Sequence, residues 1–395
     1  FAPADDMEQI MRAESIPLFT IEKKQPAAEM DVLGFKVNMM DTQKSIYTST
    51  FGNINTYTIY VAALLAISMI LFTQEKNQKR MFWYYGNMIL TSFALIMGSS
   101  DNAYLSLAAI FGLAPLWLFQ TKTGLRRYVI SLATFFTVIL CINGINKAYA
   151  ASVLGIDSAF NLIAGTKFLP VLVVLLWVIA VVLIFMNRKP QALMNRTTDD
   201  SMNKIAVYIW IGVIAVVCLA VLFVLYDANL GGHADKYGAL SSYAVFNDEW
   251  GTQRGYVWKR AMEIYTKKLN LLQKIFGYGP DTFALIMQYY YPGEMQNGHM
   301  VIFDSAHNEY LHYLVTTGFV GMASYLVFMV SSIVAMAKKI KEQPIVAAVM
   351  LAVTAYAIQA VVNINLPIAM PIILQLLAMG VGRKKTADKA EEKAE

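Results

Sequence analysis

Charged residues are scarce in this chain, and their scarcity argues against an ordinary soluble fold. Asp, Glu, Lys and Arg make up 15% of the 395 residues, whereas 57% are hydrophobic and the mean hydropathy is +0.47. A soluble domain typically has roughly a quarter of its residues charged. The net charge of +5 does not indicate nucleic-acid binding, because the basic residues lie in short loops between apolar runs. The composition therefore predicts a membrane protein.

Cysteines and the common nucleotide and zinc motifs are equally scarce. The two cysteines, Cys141 and Cys218, lie inside apolar runs, so they build neither a disulfide framework nor a metal site. The sequence has no Walker motif, no GxGxxG after a strand, no HExxH and no clear tandem repeat. These absences argue against ATP-driven transport and zinc proteolysis, and we predict neither a cofactor nor a bound metal.

Long apolar runs are abundant instead. A helix needs roughly 20 mostly apolar residues to cross the bilayer core. Nine such runs lie near residues 55–73, 82–99, 103–120, 128–146, 168–186, 205–226, 315–337, 344–363 and 367–382. The sequence therefore predicts an all-α, polytopic membrane protein with nine transmembrane helices in this chain and one large helical loop.

The basic residues predict the orientation of these helices. Lys and Arg gather in alternate connections, at 74–81, 121–127, 187–204 and 338–343 and at the start of the C-terminal tail. Because cytoplasmic loops carry an excess of Lys and Arg, these connections are predicted to be cytoplasmic.

Five regions follow from this orientation. They are an external polar segment (1–53), transmembrane helices one to six (54–226), an external catalytic loop (227–306), the C-terminal transmembrane helices (307–382) and a disordered cytoplasmic tail (383–395). We call residues 227–306 the large loop. All four histidines (His233, His299, His307 and His312) lie on its side of the membrane in this prediction.

Residues 254–275 (RGYVWKRAMEIYTKKLNLLQKI) predict one amphipathic helix at the membrane interface, because apolar residues recur at helical spacing. Lys259 and Arg260 fall on its polar face, whereas Arg254 begins the apolar stripe. A guanidinium directed towards the protein body needs an anionic partner, and a phosphate matches its geometry. The alternative is that Arg254 snorkels or pairs with a carboxylate such as Asp248 or Glu249.

Residues 277–283 (GYGPDTF) suit a tight turn at Gly277 and Gly279, followed by a helix that begins at Pro280. The N-terminus of such a helix would favour an anion. A simple turn without a ligand is the alternative.

Residues 304–326 (DSAHNEYLHYLVTTGFVGMASYL) predict a helix capped by Asp304 or Ser305, with His307 in its first turn. The positive end of a helix disfavours imidazolium, so His307 is predicted to be neutral and able to accept a proton, oriented by Asp304. An interfacial histidine that makes one capping bond is the alternative. His312 is predicted to be a spectator, and His233 and His299 to be solvated.

These three segments, taken in order, resemble the signature region of the O-antigen ligase and polymerase superfamily. Residues 52–65 (GNINTYTIYVAALL) also resemble the family's GN-x-N opening of an earlier helix, so the resemblance covers about residues 50–382. His-Asn-x-Tyr-Leu followed by Gly-x-x-Gly is its most specific part. Members are multispan enzymes that handle undecaprenyl-diphosphate-linked glycans outside the cytoplasmic membrane.

The resemblance implies a fold of about twelve helices with a glycosyltransferase type C-like layout. Three missing N-terminal helices would reconcile that number with the nine runs and with the predicted external start at Phe1. It also implies that Arg254 contacts the donor diphosphate and that His307 lies near the acceptor hydroxyl as a base. The remaining candidate substrate-binding residues are Lys259, Arg260, Asp304, Asn308, Glu309, Tyr310, Gly277 and Gly279.

The implied activity is a metal-independent, inverting glycan transfer from undecaprenyl diphosphate to a hydroxyl of a glycan, lipid or protein acceptor. The active site would be on the external face of a bacterial inner membrane, among membrane lipids and without nucleic acid. One departure is that the chain has Ser99-Ser100-Asp101-Asn102 where the family often has an Arg after a Ser pair, which removes one phosphate contact.

Three alternatives remain open from sequence. A repeat-unit polymerase shares the donor with a ligase and differs only in the acceptor. A transporter or flippase would require ionisable groups near mid-membrane, and the apolar runs have almost none. A non-catalytic scaffold would not require Arg254 and His307 to converge.

Overall fold

The computed structural model describes residues 29–32, 35–38, 53–150, 156–186, 204–292, 303–341, 343–364 and 368–382. The predictions about His299, most of the basic loop 187–204 and the tail 383–395 lie outside the described residues. The chain divides into two units, Phe1–Ile46 and Tyr47–Glu395.

The first unit contains a β-hairpin that the sequence analysis did not predict. Strands β1 (Glu29–Val32) and β2 (Phe35–Asn38) pair antiparallel, with Glu29 opposite Asn38 and Val32 opposite Phe35. Both four-residue segments, EMDV and FKVN, alternate polar and apolar residues, which is the period typical of a strand.

The second unit is helical. Its first part contains α1 (Ile54–Gln74), α2 (Gln78–Met97), α3 (Ala103–Leu113), α4 (Pro115–Leu118), α5 (Lys122–Ala148), α6 (Ser158–Ala164), α7 (Leu169–Met186) and α8 (Ile205–Asn229). The large loop contains a 3₁₀ segment (Ala234–Leu240), α9 (Ser241–Ala244), α10 (Trp250–Glu263), a π turn (Ile264–Lys268), α11 (Leu271–Phe276) and α12 (Phe283–Tyr290). The last part contains α13 (Glu309–Thr316), α14 (Gly318–Ala337), α15 (Pro344–Gln359), a 3₁₀ turn (Ala360–Val362) and α16 (Met370–Gly382).

The nine predicted apolar runs coincide with helical segments, but the run 103–120 is divided between α3 and α4 and the run 315–337 between the end of α13 and α14. Within the described residues, six helices are long and apolar enough to cross a membrane, namely α1, α5, α7, α8, α14 and α15 with its 3₁₀ turn. The segments Ala103–Leu118 and Met370–Gly382 are shorter apolar helices. Along α8 only Asp227 and Ala228 are buried, so its apolar surface faces outward, as lipid contact requires. The chain is therefore an all-α polytopic membrane protein.

Helix α1 lies at the centre of the largest core and packs against α15 and α2. Leu65, Ala66 and Met69 of α1 are fully buried in the same cluster as Ala348 and Ala352 of α15. Small residues let two helix backbones approach closely, which is a common basis of helix packing in membranes. This packing fixes the N-terminus of α1 and the C-terminus of α15 on one side of the molecule.

Three helix boundaries near the large loop differ from the prediction. The helix predicted over 254–275 is interrupted by the π turn, and α11 begins anew because Asn270 forms a capping box with Gln273. The helix predicted from Pro280 begins at Phe283. The helix predicted from Asp304 or Ser305 begins at Glu309, because Asn308 is the residue whose side chain accepts the Leu311 N–H.

Candidate active site

A cavity of about 970 Å³ opens between the ends of α1, α3, α6 and α10. This volume is at the upper end of the range of about 300–1,000 Å³ that ligand sites occupy. Its lining combines carboxylates, hydroxyls and aromatic rings with one guanidinium. The lining residues that matter here are Asn55, Ser100, Asp101, Asp157, Ser158, Tyr243, Glu249, Trp250 and Arg254.

Strained backbone occurs in the cavity lining, at Ser99 and Thr252. In the described part of the chain, the non-glycine residues with positive φ are Ser99, Thr252, Gln253, Asp281 and His307. Thr252 and Gln253 follow Gly251, also at positive φ, and together form a left-handed turn immediately before Arg254. Left-handed backbone is unfavourable for side chains with a Cβ, most of all for a β-branched threonine. Such strain concentrates at functional sites, where the surrounding structure enforces it.

The Arg254 side chain lies in the cavity wall. Its Nη1 donates to the Gly251 carbonyl at 2.6 Å, and its buried Nε has no hydrogen-bond partner among the described residues. Asp248, one of the carboxylates that could have paired with Arg254, binds Lys259 instead at 2.7 Å. Burial lowers the pKa of Arg254 and the negative charge of Asp101 raises it. A guanidinium stays protonated in proteins, so Arg254 keeps its charge and has donor capacity for an anion.

His307 lies close to Arg254. The Trp258 indole, one helical turn after Arg254, donates to the carbonyl of Ala306 at 2.9 Å, which ties α10 to the residue before His307. The positive charge of Arg254 adds to burial in lowering the pKa of His307, whereas Asp304 raises it. The lowered pKa favours the neutral imidazole, and burial is its largest cause, whereas the sequence analysis attributed the neutral form to a helix end. Its Nδ1 is buried without a hydrogen-bond partner in the described structure.

His312 belongs to the same polar cluster, which the sequence analysis did not expect. Its ring stacks on Phe283 with a centroid distance of 5.4 Å. Burial lowers the pKa of His312, while Asp281 and Asp304 raise it, and its charge in turn lowers the pKa of His307. His312 is therefore near enough to His307 to affect its pKa.

Lys259 and Arg260 lie outside the cavity lining. Lys259 is paired with Asp248 and lies over the Phe246 ring at 5.5 Å. Arg260 donates to Glu263 at 2.9 Å and lies 4.7 Å from the centroid of the Tyr291 ring. Both cations are thus already engaged with side chains of the loop itself.

The residues after His307 point to a second feature, an apolar groove of about 530 Å³. Asn308 and Tyr310 line it, together with Phe246, Trp258, Lys259, Met262, Leu311, Leu314 and Met322. The Tyr310 hydroxyl donates to the Ala357 carbonyl at 2.6 Å. Glu309, in contrast, is 1% exposed and accepts a 2.6 Å hydrogen bond from Tyr356, so it contacts α15 and neither the cavity nor the groove. This placement favours a structural role for Glu309.

Gly277 and Gly279 form the predicted turn, but the turn packs against the protein. The backbone N–H groups of Tyr278 and Gly279 both donate to the Thr316 carbonyl, at 2.9 and 2.8 Å. A Cβ at Gly277 would collide with that same carbonyl. These two N–H groups join the turn to the break between α13 and α14, and the helix whose N-terminus was expected to favour an anion begins three residues later than predicted, at Phe283.

Replacing Gly277 by Ala is expected to lower the free energy of unfolding by about 1–3 kcal/mol, since the added methyl group overpacks the contact with Thr316. Residue 277 also has a φ of 72°, which alanine tolerates poorly. Thermal unfolding of the purified variants measures this. Gly144→Ala is the control, because its Cβ would meet open space. A stable Gly277→Ala protein that fails to bind polyprenyl diphosphate would instead support a ligand contact.

Several cavity residues were not identified as candidates from sequence. Asn55 accepts hydrogen bonds from Ser100 at 2.7 Å and from Asn102 at 3.1 Å, and this joins the GN-x-N segment to the Ser-Ser-Asp-Asn junction. Asp157 lies beside Asp101, where burial first and the Asp101 charge second raise the pKa of Asp157 to about 6. Asn55 belongs to the GN-x-N segment and Ser100 to the Ser-Ser-Asp-Asn junction, but no feature of the sequence indicated that the two residues contact each other.

Comparison with protein families assigns the chain. A family model described as O-antigen ligase matches residues 86–326, which is more than half of the chain and includes Asp101, Arg254 and His307. The chain belongs to the O-antigen ligase family. This confirms the resemblance found in the signature segments. A comparison with curated proteins gave no match.

A second family model, described as Radical SAM proteins, N-terminal, matches residues 1–51. The match is short relative to the 395 residues and shows no second family for the chain. Residues 1–51 contain no cysteine, the usual ligand of iron–sulfur clusters. The O-antigen ligase match, which begins at residue 86, is independent of it.

Proposed function

We propose that this member of the O-antigen ligase family transfers a glycan from undecaprenyl diphosphate to an acceptor hydroxyl, on the external face of a bacterial inner membrane. The observation that carries the proposal is that Arg254 lines a large cavity and that His307, although not in that lining, is near enough for the charge of Arg254 to lower its pKa. Family membership supports the coarser role of a membrane glycan ligase or polymerase.

The chemistry is a single displacement at the anomeric carbon. The acceptor oxygen forms a bond to that carbon while the bond from carbon to the diphosphate oxygen breaks. The diphosphate departs with the electron pair, and His307 takes the acceptor proton as a general base. Arg254 stabilises the charge that develops on the diphosphate. One displacement without a covalent intermediate inverts the anomeric configuration, and this route uses Arg254 and no metal ion.

The apolar groove suits the isoprenoid chain of the donor. It is lined by Trp258, Leu314 and other apolar side chains, and Asn308 connects it to His307. Lys259 lies at the groove, where a lysine stem covers apolar surface and keeps its ammonium group in contact with water or a lipid phosphate. The groove would hold the isoprenoid chain of the lipid-linked donor, and the cavity would hold its diphosphate and glycan.

Analysis of lipid-linked glycans in a strain that lacks this protein tests the function. The strain should accumulate undecaprenyl-linked glycans, and the wild-type gene should clear them. Accumulated long chains would identify a ligase and accumulated single repeat units a polymerase. An unchanged pool of lipid-linked glycans, with surface polysaccharide intact, would contradict both.

Replacing Asp304 by Asn is expected to move the acid limb of the pH–rate profile to lower pH. Asp304 raises the pKa of His307, so its removal lowers that pKa, and the imidazole stays neutral at lower pH. The shift should be a few tenths of a pH unit, because Asp304 is exposed and water screens its charge. Asp304→Glu keeps the charge and should keep the profile. A shift to higher pH would contradict this role of His307.

A further inference from the structure

Among the charged residues that line the cavity with Arg254, acids outnumber bases. Asp101, Asp157 and Glu249 contribute carboxyl groups, and Arg254 contributes the one guanidinium among the described lining residues. A site that held only a diphosphate would have more basic than acidic residues. The excess of carboxyl groups indicates that a different part of the substrate occupies the wall that Asp101 and Asp157 form.

Fixed hydrogen bonds hold these two side chains in place. Asp101 accepts from the Ala159 N–H and from the Ser158 hydroxyl, both at 3.2 Å. Asp157 accepts from the Phe160 N–H at 2.7 Å and from the Tyr104 hydroxyl at 3.5 Å. Each carboxylate oxygen has a second lone pair, so both groups retain acceptor capacity towards the cavity.

Aromatic side chains adjoin this wall. The Tyr243 hydroxyl lies 2.8 Å from the Ser158 hydroxyl, and the Trp250 indole donates to the Tyr243 carbonyl at 2.9 Å. Both rings line the cavity together with the two aspartates. A sugar ring has an apolar face that packs on an aromatic ring and hydroxyl groups that donate to carboxylates. The wall therefore offers a sugar both kinds of contact.

We propose that Asp101 and Asp157 form a sugar-selective wall that accepts a neutral or amino sugar next to the donor diphosphate and rejects an acidic sugar. The inference rests on the proposed function and adds a substrate class to it. A uronic acid would place its carboxylate against the half-buried carboxyl group of Asp157 and the exposed one of Asp101, and like charges repel. Arg254 does not relieve that repulsion, because the diphosphate occupies it. Repulsion of this kind excludes an acidic sugar without requiring the wall to bind a neutral or amino sugar more tightly.

Binding to the purified full chain in nanodiscs tests the proposal. The probes are undecaprenyl diphosphate alone and the same lipid carrying N-acetylglucosamine, glucosamine or glucuronic acid. We expect the wild-type chain to bind the N-acetylglucosamine and glucosamine probes at least about tenfold more tightly than the glucuronic acid probe. If the wild-type chain binds all three sugar-carrying probes with equal affinity, the proposal is overturned and no variant is needed.

The variants Asp101→Asn and Asp157→Asn, singly and together, test the two residues. Asparagine removes the charge and keeps one acceptor oxygen, for the Ala159 N–H at position 101 and for the Phe160 N–H at position 157. The hydroxyls of Ser158 and Tyr104 can then accept from the new amide NH₂ group. The double variant should gain affinity for the glucuronic acid probe and narrow the preference to within about threefold. Asp235→Asn, an exposed charge in the large loop outside the cavity lining, should keep the wild-type ratio. An unchanged ratio in the double variant would overturn the proposal.

Two further outcomes separate this inference from the proposed function. If Arg254→Ala binds bare undecaprenyl diphosphate as tightly as the wild-type chain, the proposed function fails and the sugar-selective wall fails with it. If the bare lipid depends on Arg254 but the sugar preference requires added Mg²⁺ and disappears with a chelator, the carboxylates hold a cation. That result would overturn the wall and leave the proposed function intact.

Discussion

Replacing His307 by Ala is expected to lower glycan transfer by about 10²–10⁴-fold, the usual contribution of a positioned base. Burial and the charge of Arg254 lower the pKa of His307, so at neutral pH the wild-type imidazole is neutral and can accept the acceptor's proton. Alanine cannot. Donor binding should stay near the wild-type value, because the proposed diphosphate contact is Arg254. Transfer is measured in the deletion strain at matched protein level, and donor binding on the purified variant.

His233→Ala is the matched control for this prediction. His233 is also a histidine of the large loop, but it is 63% exposed in its side chain and its Nδ1 lies 2.7 Å from Asp227. Its loss should change transfer by less than about twofold, as is usual for an exposed residue away from a site. Full transfer by His307→Ala, with normal donor binding, would eliminate the imidazole as the base.

Replacing Arg254 by Ala is expected to lower transfer by about 10²–10³-fold, the loss typical of removing one group that stabilises developing charge. Donor affinity should fall as well, because the guanidinium also contacts the diphosphate before reaction. Arg254→Lys should recover only part of the loss, since an ammonium group lacks the planar fork that matches a phosphate. Binding of undecaprenyl diphosphate and glycan transfer are measured side by side.

Arg260→Ala provides the comparison on the same helix. Arg260 is paired with Glu263 and stacked on Tyr291, outside the cavity lining. Once protein amounts are equalised, this variant should bind the donor like the wild-type chain. Equal losses from Arg254→Ala and Arg260→Ala would point to a diffuse basic surface in place of one diphosphate contact.

The sequence predicted the membrane helices well because their signal is local. Whether a segment is long and apolar enough to cross the bilayer depends only on its own residues, so it can be read from the sequence of that segment. The hairpin at residues 29–38 shows the same principle, since its alternating pattern is visible in the two short segments even though the sequence analysis did not use it. Lengths and types of elements follow from such patterns wherever the surroundings agree with the local preference.

Helix boundaries in the large loop depended on contacts that no local pattern reveals. Asp304, Ser305 and Asn308 are all suitable caps, and the structure uses Asn308. The turn at Gly277 and Gly279 was predicted, but its packing was not: the N–H groups of Tyr278 and Gly279 donate to the carbonyl of Thr316, far along the chain. The first case was a choice among several local caps, and the second depended on a tertiary hydrogen bond.

The two central side chains were predictable individually, and the remainder of the cavity was not. Arg254 stood apart from the other cations of α10, and His307 stood in a signature segment. Asp101 and Asp157 belong to different loops, and only the packing of α3, α6 and α10 shows that both line one cavity with Arg254. Which charged residues of distant loops meet depends on the fold, and no repeating pattern in the sequence indicates it.

Cysteine labelling tests the central claim most directly, namely that Arg254 and His307 meet in one water-accessible site on the external face. Arg254→Cys and His307→Cys are each made in a chain with Cys141→Ala and Cys218→Ala, and a membrane-impermeant maleimide is added to intact spheroplasts. Both cysteines should react from outside, and added undecaprenyl diphosphate should protect both. Reaction only after permeabilisation, or protection of neither cysteine by the lipid, would contradict the account.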